Sequence, residues 1–158
     1  MKHLMSVLTV VAAFIAWQPV GSAQNLGLAP TYGSVSLNAG FPTDPYSVRV
    51  SAGGSIDARQ TLGGNCRGMI ASEPDFQLYY NAGNVFPLHI FVQSAVDTTL
   101  VVNDPYGNWR CDDDGMGSLN PLITYANPAS GRYNIWVGTF LSGSGMPQAT
   151  LFISELQP

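Results

Sequence analysis

The chain has 158 residues, six basic and ten acidic, with a net charge of −4. Only 10% of its residues are charged, against about 25% in a typical globular protein, so Ser, Thr, Asn and Gly must keep it in solution. An acidic chain whose only lysine is Lys2 is a poor partner for nucleic acid or an anionic membrane surface.

Residues 1–23 read as a signal peptide. Lys2 and His3 give a basic start, Leu4 to Trp17 is almost wholly apolar, and Gly21-Ser22-Ala23 is a small-residue cleavage pattern, with the cut after Ala23. The other reading, a membrane anchor, is disfavoured: the apolar run is short and Gln18-Pro19 breaks it. Cleavage leaves 135 residues with five arginines against ten acids, a charge of −5, and no second stretch able to span a membrane. That length suits one domain with one core. Localisation is therefore expected to be periplasmic or extracellular.

Gln24 to Tyr32 has no periodicity and is expected to be a mobile N-terminal segment; the domain proper is residues 33–158. Gly33 to Asn38 alternates as a strand does, and Gly40 to Pro45 is a turn carrying two prolines. Tyr46 to Ala52 puts Val48, Val50 and Ala52 on one face and Ser47, Arg49 and Ser51 on the other. Ser55 to Leu62 reads as a short strand or irregular segment, and Gly63-Gly64-Asn65 as a loop before Cys66. Phe76 to Tyr80 is aromatic and strand-like. Val85 to Gln93 places Phe86, Leu88, Ile90 and Val92 inward and His89 on the opposite, exposed or shallowly grooved face.

Thr98 to Val102 is apolar on both faces and is expected to be a central strand. A tight turn, a short returning strand with Cys111, and Asp112-Asp113-Asp114 follow. Leu122 to Ala126, Arg132 to Thr139 and Ala149 to Leu156 are the last strands, with Tyr133, Ile135 and Val137 inward on the second of them. Eight or nine short strands with turn signals between them, and no capped helical period, argue for an all-β sandwich. Exported and oxidised, Cys66 and Cys111 are expected to pair. Free thiols or a pair of metal ligands are the alternatives, and one histidine outside the signal makes zinc a poor fit.

Asp97-Thr-Thr-Leu-Val-Val-Asn103-Asp104-Pro-Tyr-Gly107-Asn-Trp, then Asp113-Asp114, then Ser130-Gly131-Arg-Tyr133-Asn-Ile-Trp-Val137-Gly138, resembles the bacterial pre-peptidase C-terminal domain. The resemblance implies a jelly-roll-like β-sandwich, of a kind usually appended to secreted proteases and other exported enzymes. Cys111, directly before the aspartates, departs from that family's pattern.

Crowded carboxylates repel, and Arg110 alone cannot balance Asp104 and Asp112 to Asp114. A hard cation could, since calcium takes six to eight oxygen ligands. The candidate ligands are Asp97, Asn103, Asp104, Asp112, Asp113 and Asp114, with Asn120 in loop reach. The alternative is a solvated acidic loop that keeps a sheet edge from pairing. Trp109 and Trp136 are weak binding candidates, for exposed indoles stack on sugars or anchor proteins, although packing beneath a loop explains them equally well. Catalysis is not expected, because His89 stands alone and there is no G-x-S-x-G elbow. The leading expectation is an exported, calcium-stabilised accessory module recognising a protein or polysaccharide of the envelope or surroundings. A self-associating structural subunit is the alternative, and a small hydrolase using His89 or paired aspartates ranks below both.

Overall fold

Alternation of apolar and polar side chains builds two sheets. The computed structural model describes residues 24–117 and 119–158; the signal peptide expected over residues 1–23 lies outside them. In chain order the elements are β1 (Ser34–Asn38), β2 (Tyr46–Ser51), β3 (Ile56–Asp57), α1 (Ala58–Leu62), β4 (Met69–Ile70), β5 (Phe76–Asn81), β6 (Leu88–Ser94), β7 (Thr98–Asn103), β8 (Trp109–Asp112), β9 (Leu122–Tyr125), β10 (Gly131–Thr139) and β11 (Gln148–Ser154). The expected eight or nine strands become eleven among the described residues: β4 adds a two-residue piece, and the two-residue β3 falls where a short strand or irregular segment is expected.

One sheet runs β1-β5-β10-β7-β8, and the other runs β2-β11-β6-β9. β4 joins the β5 side of β10 at Thr139 and carries β3 with it. β1 pairs with β5 in parallel, while the other pairings are antiparallel. β7 is buried along its whole length between β10 and β8, as its two-sided apolar pattern predicts. Between the sheets lies the main core, with Phe76, Leu100, Tyr133, Ile135 and Val137 from one side and Val50, Leu88, Ile90, Leu151 and Ile153 from the other.

A second, smaller cluster covers the outer face of the first sheet. Ala58, Cys66, Ile70, Val101 and Trp136 form it, with Leu26, Leu62, Trp109 and Cys111 packed around them. α1 forms where the sequence reads as a short strand or irregular segment. Asp57 caps it, accepting from Arg59 N and Gln60 N, while the Gln60 side chain reaches back to Asp57. The Cys66–Cys111 disulfide is formed. It closes a loop spanning 45 positions, worth about 4 kcal/mol on the chain-entropy model.

The segment 24–32, expected to be mobile, bonds to the domain: Asn25 N–H donates to Ser72 O, Thr31 N–H to Pro74 O and Tyr32 N–H to Asp75 O, while Leu26 enters the outer cluster. One expectation is corrected here. His89 is buried, because β6 is an inner strand flanked by β9 and β11. Its Nδ1 shares a 2.9 Å hydrogen bond with Thr124 Oγ1. Burial outweighs the pull of Asp44 and lowers its pKa.

One carboxylate replaces a missing strand. β5 leaves β10 after Ile135 and β4 arrives only at Thr139, so Val137 N–H has no strand opposite it. Buried Asp75 fills the gap, its Oδ2 accepting that N–H at 2.7 Å. Burial, more than the charge of Glu73, raises the Asp75 pKa to about 7, despite the opposing effect of the bond from Val137.

Candidate functional site: a groove along β8

The hairpin of β7 and β8 separates the residues proposed for a cation. The seven positions from Asp97 to Asp104 run the length of β7, roughly 23 Å at the rise of an extended chain. Asn103 and Asp104 therefore sit at the hairpin tip, while Asp97, Asp113 and Asp114 gather at the other end. Asp104 organises the tip: its Oδ1 accepts from Tyr106 N at 2.9 Å and from Asn108 N at 3.0 Å. Asn103 is buried opposite Trp109 and Asn134. Asp112 Oδ2 accepts from Gly115 N at 2.7 Å and from Leu122 N at 2.8 Å. Asn120 Oδ1 accepts from Ser94 N at 2.9 Å.

The six candidate ligands are thus not one set. Adjacency in sequence suggested convergence, but the antiparallel register carries Asp112 to Leu100, three pairs below the tip. Asp97, Asp113 and Asp114 remain neighbours. Burial raises the Asp97 pKa, with Asp114 and Asp113 adding to it. Burial, then Asp114 and Asp112, raises that of Asp113, while Arg67 opposes them. Asp97 Oδ1 is buried and has no hydrogen-bond partner among the described residues. Among the described residues, no group of three or more His, Cys, Asp and Glu side chains is arranged to hold a metal ion.

Trp136 is not a surface platform. It lies on the outer face of β10, as the alternation predicts, but α1 and the disulfide loop cover it and it is fully buried. Trp109 leans on it, with ring centroids 5.3 Å apart and planes at 44°. Trp109 remains half-buried and lines a groove.

That groove, of about 450 Å³, is the feature the sequence did not reveal. Its floor is β8, one wall is the loop from Leu62 to Cys66, and the other is β9 at Leu122, Ile123 and Thr124. Gly63 and Gly64, both at positive φ, let the first wall turn tightly, and the disulfide fastens that wall to β8. The second wall is stitched to β8 by two side chains. Leu122 N–H donates to Asp112 Oδ2, and Arg110 Nη1 donates to Thr124 O at 3.0 Å. The Arg110 guanidinium also lies 4.5 Å from the Tyr125 ring centroid.

No protein-family model and no curated protein matches the chain. Among solved structures, the chain is similar to PliG of Aeromonas hydrophila, a periplasmic lysozyme inhibitor of g-type lysozyme, at 14% identity and a TM-score of 0.38. That alignment covers 77% of this chain and 96% of the inhibitor. Among the described residues, no helix is long and apolar enough to cross a membrane.

Proposed function

We propose that the protein is an exported, non-catalytic binding module that holds part of another protein in the β8 groove. The groove itself carries this reading: it is a walled, half-polar slot along a sheet edge, lined by an accessible indole, a disulfide and two charged side chains. The disulfide favours an oxidising compartment. Facing sheets in the orders β2-β11-β6-β9 and β5-β10-β7-β8 support the jelly-roll-like reading of the sandwich. The likeness to pre-peptidase C-terminal domains belongs to the same proposal; its motif residues Asp104 and Tyr133 serve the hairpin tip and the core.

A photocrosslinking residue at Asn65, in the groove wall, tests this against one at Ser36 on β1. In exporting cells, position 65 is expected to give adducts with another polypeptide and position 36 none. Equal labelling at both positions, or none at either, contradicts the reading. Adducts between two copies of this chain would point instead to self-association.

A second reading keeps calcium in reduced form. Asp97, Asp113 and Asp114 are not preformed as a ligand set, so an ion would have to draw them together, favoured by an Asp97 Oδ1 without a partner among the described residues. Calcium then raises the melting temperature and a chelator lowers it; identical melts remove the ion.

A further inference from the structure

We propose that β8 is a strand-addition edge, where an extended segment of a partner protein bearing Lys or Arg pairs its main chain with Trp109 and Cys111. The inference rests on reading the groove as the binding site and specifies how that site works.

The hydrogen-bond phase of the hairpin decides which groups are free. Asp104 N–H donates to Asn108 O at 2.9 Å, so that pair is hydrogen-bonded across the hairpin. Antiparallel pairs alternate between bonded and non-bonded. Counting down the register, Val102–Arg110 and Leu100–Asp112 are bonded, whereas Asn103–Trp109 and Val101–Cys111 are not. The N–H and C=O of Trp109 and of Cys111 therefore point away from β7. Among the described residues, no other strand pairs with β8, and the turn and loop hydrogen bonds include none to these four groups.

They open onto the floor of the groove. An incoming strand would lie roughly 4.8 Å beyond β8, with side chains alternating to its two sides. One set would meet the wall of Leu62 to Cys66 and the Trp109 ring, and the other would meet Leu122 to Thr124. Main-chain pairing supplies the bonds, and pockets for alternate side chains supply the choice of partner.

Charge sets the class of that partner. Arg110 and Asp112 line the groove and are both already bonded, Arg110 to Thr124 O and the Tyr125 ring, Asp112 to Gly115 N and Leu122 N. Asp113 and Asp114 continue directly from the end of β8, with Arg67 opposing at Asp113. With ten acids against five arginines in the exported chain, the field at this edge favours a cationic segment.

The test uses the oxidised protein, isotope-labelled, and an end-capped hexapeptide of alternating valine and lysine. Two N-methylated versions of the peptide carry methyl groups on either the valine or the lysine amides, so that each blocks one edge of the added strand. Saturating peptide is expected to slow amide exchange at Trp109 and Cys111 about tenfold or more, and only one methylated version is expected to bind. Shifted signals at Leu62, Asn65 and Thr124 with unchanged exchange at Trp109 and Cys111 would overturn strand addition while sparing the groove. Equal binding of both methylated versions would do the same. A peptide that moves no groove signal overturns the cationic-strand proposal, and photocrosslinking from Asn65 then decides the groove reading separately.

Discussion

β8 and β9 face each other across one seam of the sandwich and end in opposite states. The outward N–H of Leu122 and C=O of Thr124 on β9 are capped by Asp112 and Arg110. Those two side chains come from β8, whose own outward groups at Trp109 and Cys111 stay uncapped. Unpaired strand edges invite association, and proteins commonly blunt them with charge, short length or a covering loop. Here one edge is closed with the side chains of the other, and the loop beside the open one stands off as a wall. The contrast teaches that the seam is asymmetric by construction, which is what a specific site needs and a merely protected edge does not.

The largest way to break the contrast is to remove the support of the outer wall. Trp136 is fully buried beneath α1 and the disulfide loop, so Trp136→Ala should cost about 3–5 kcal/mol in denaturant melts. The wall should loosen with it, and α1 amides should exchange faster than those of β9.

Asp75 gives a comparable effect through pH. Like Asp112 it caps a strand N–H, but it is almost wholly buried, and its pKa rises to about 7. Its folded pKa exceeds the unfolded value, so its contribution is complete below about pH 4 and is lost as pH climbs toward 7. The loss is on the order of 4 kcal/mol. Asp75→Asn keeps a carbonyl acceptor for Val137 N–H and cannot ionise, so melts of that variant should be flatter between pH 4 and 7. Asp97 and Asp113 shift in the same direction, but they are more exposed and solvent screens them.

The smallest effect sharpens the contrast most. Asp112→Ala removes the acceptor for Leu122 N–H and Gly115 N–H and should cost about 1 kcal/mol. The Leu122 amide should then exchange as freely as those of the open edge.

Much of this architecture is legible in the residues themselves. Period-two patterns mark β2, β10 and β11, the doubly apolar run marks β7 as central, and two cysteines in a chain that reads as exported mark the disulfide. What was missed is nonlocal. Alternation along β10 puts Trp136 on the outer face but cannot say that α1 covers it. α1 has only five residues, too few for a period, and its signal was the pairing of Asp57 with Gln60 three positions on. The aspartates looked like one set because they are close in sequence, yet the hairpin register sends Asp104 to the tip and Asp112 to the seam. Alternation puts His89 on the outer face of β6, and only the flanking β9 and β11 bury it there. The groove depends on which strand ends a sheet, and no run of residues states that.

The most direct measurement is amide hydrogen exchange on the free, oxidised protein, comparing Leu122 with Trp109 and Cys111. A protected Leu122 amide, held by Asp112, and fast exchange at Trp109 and Cys111 are expected. Protection at Trp109 and Cys111 equal to that at Leu122 would mean that the β8 edge is already closed and open to no added strand.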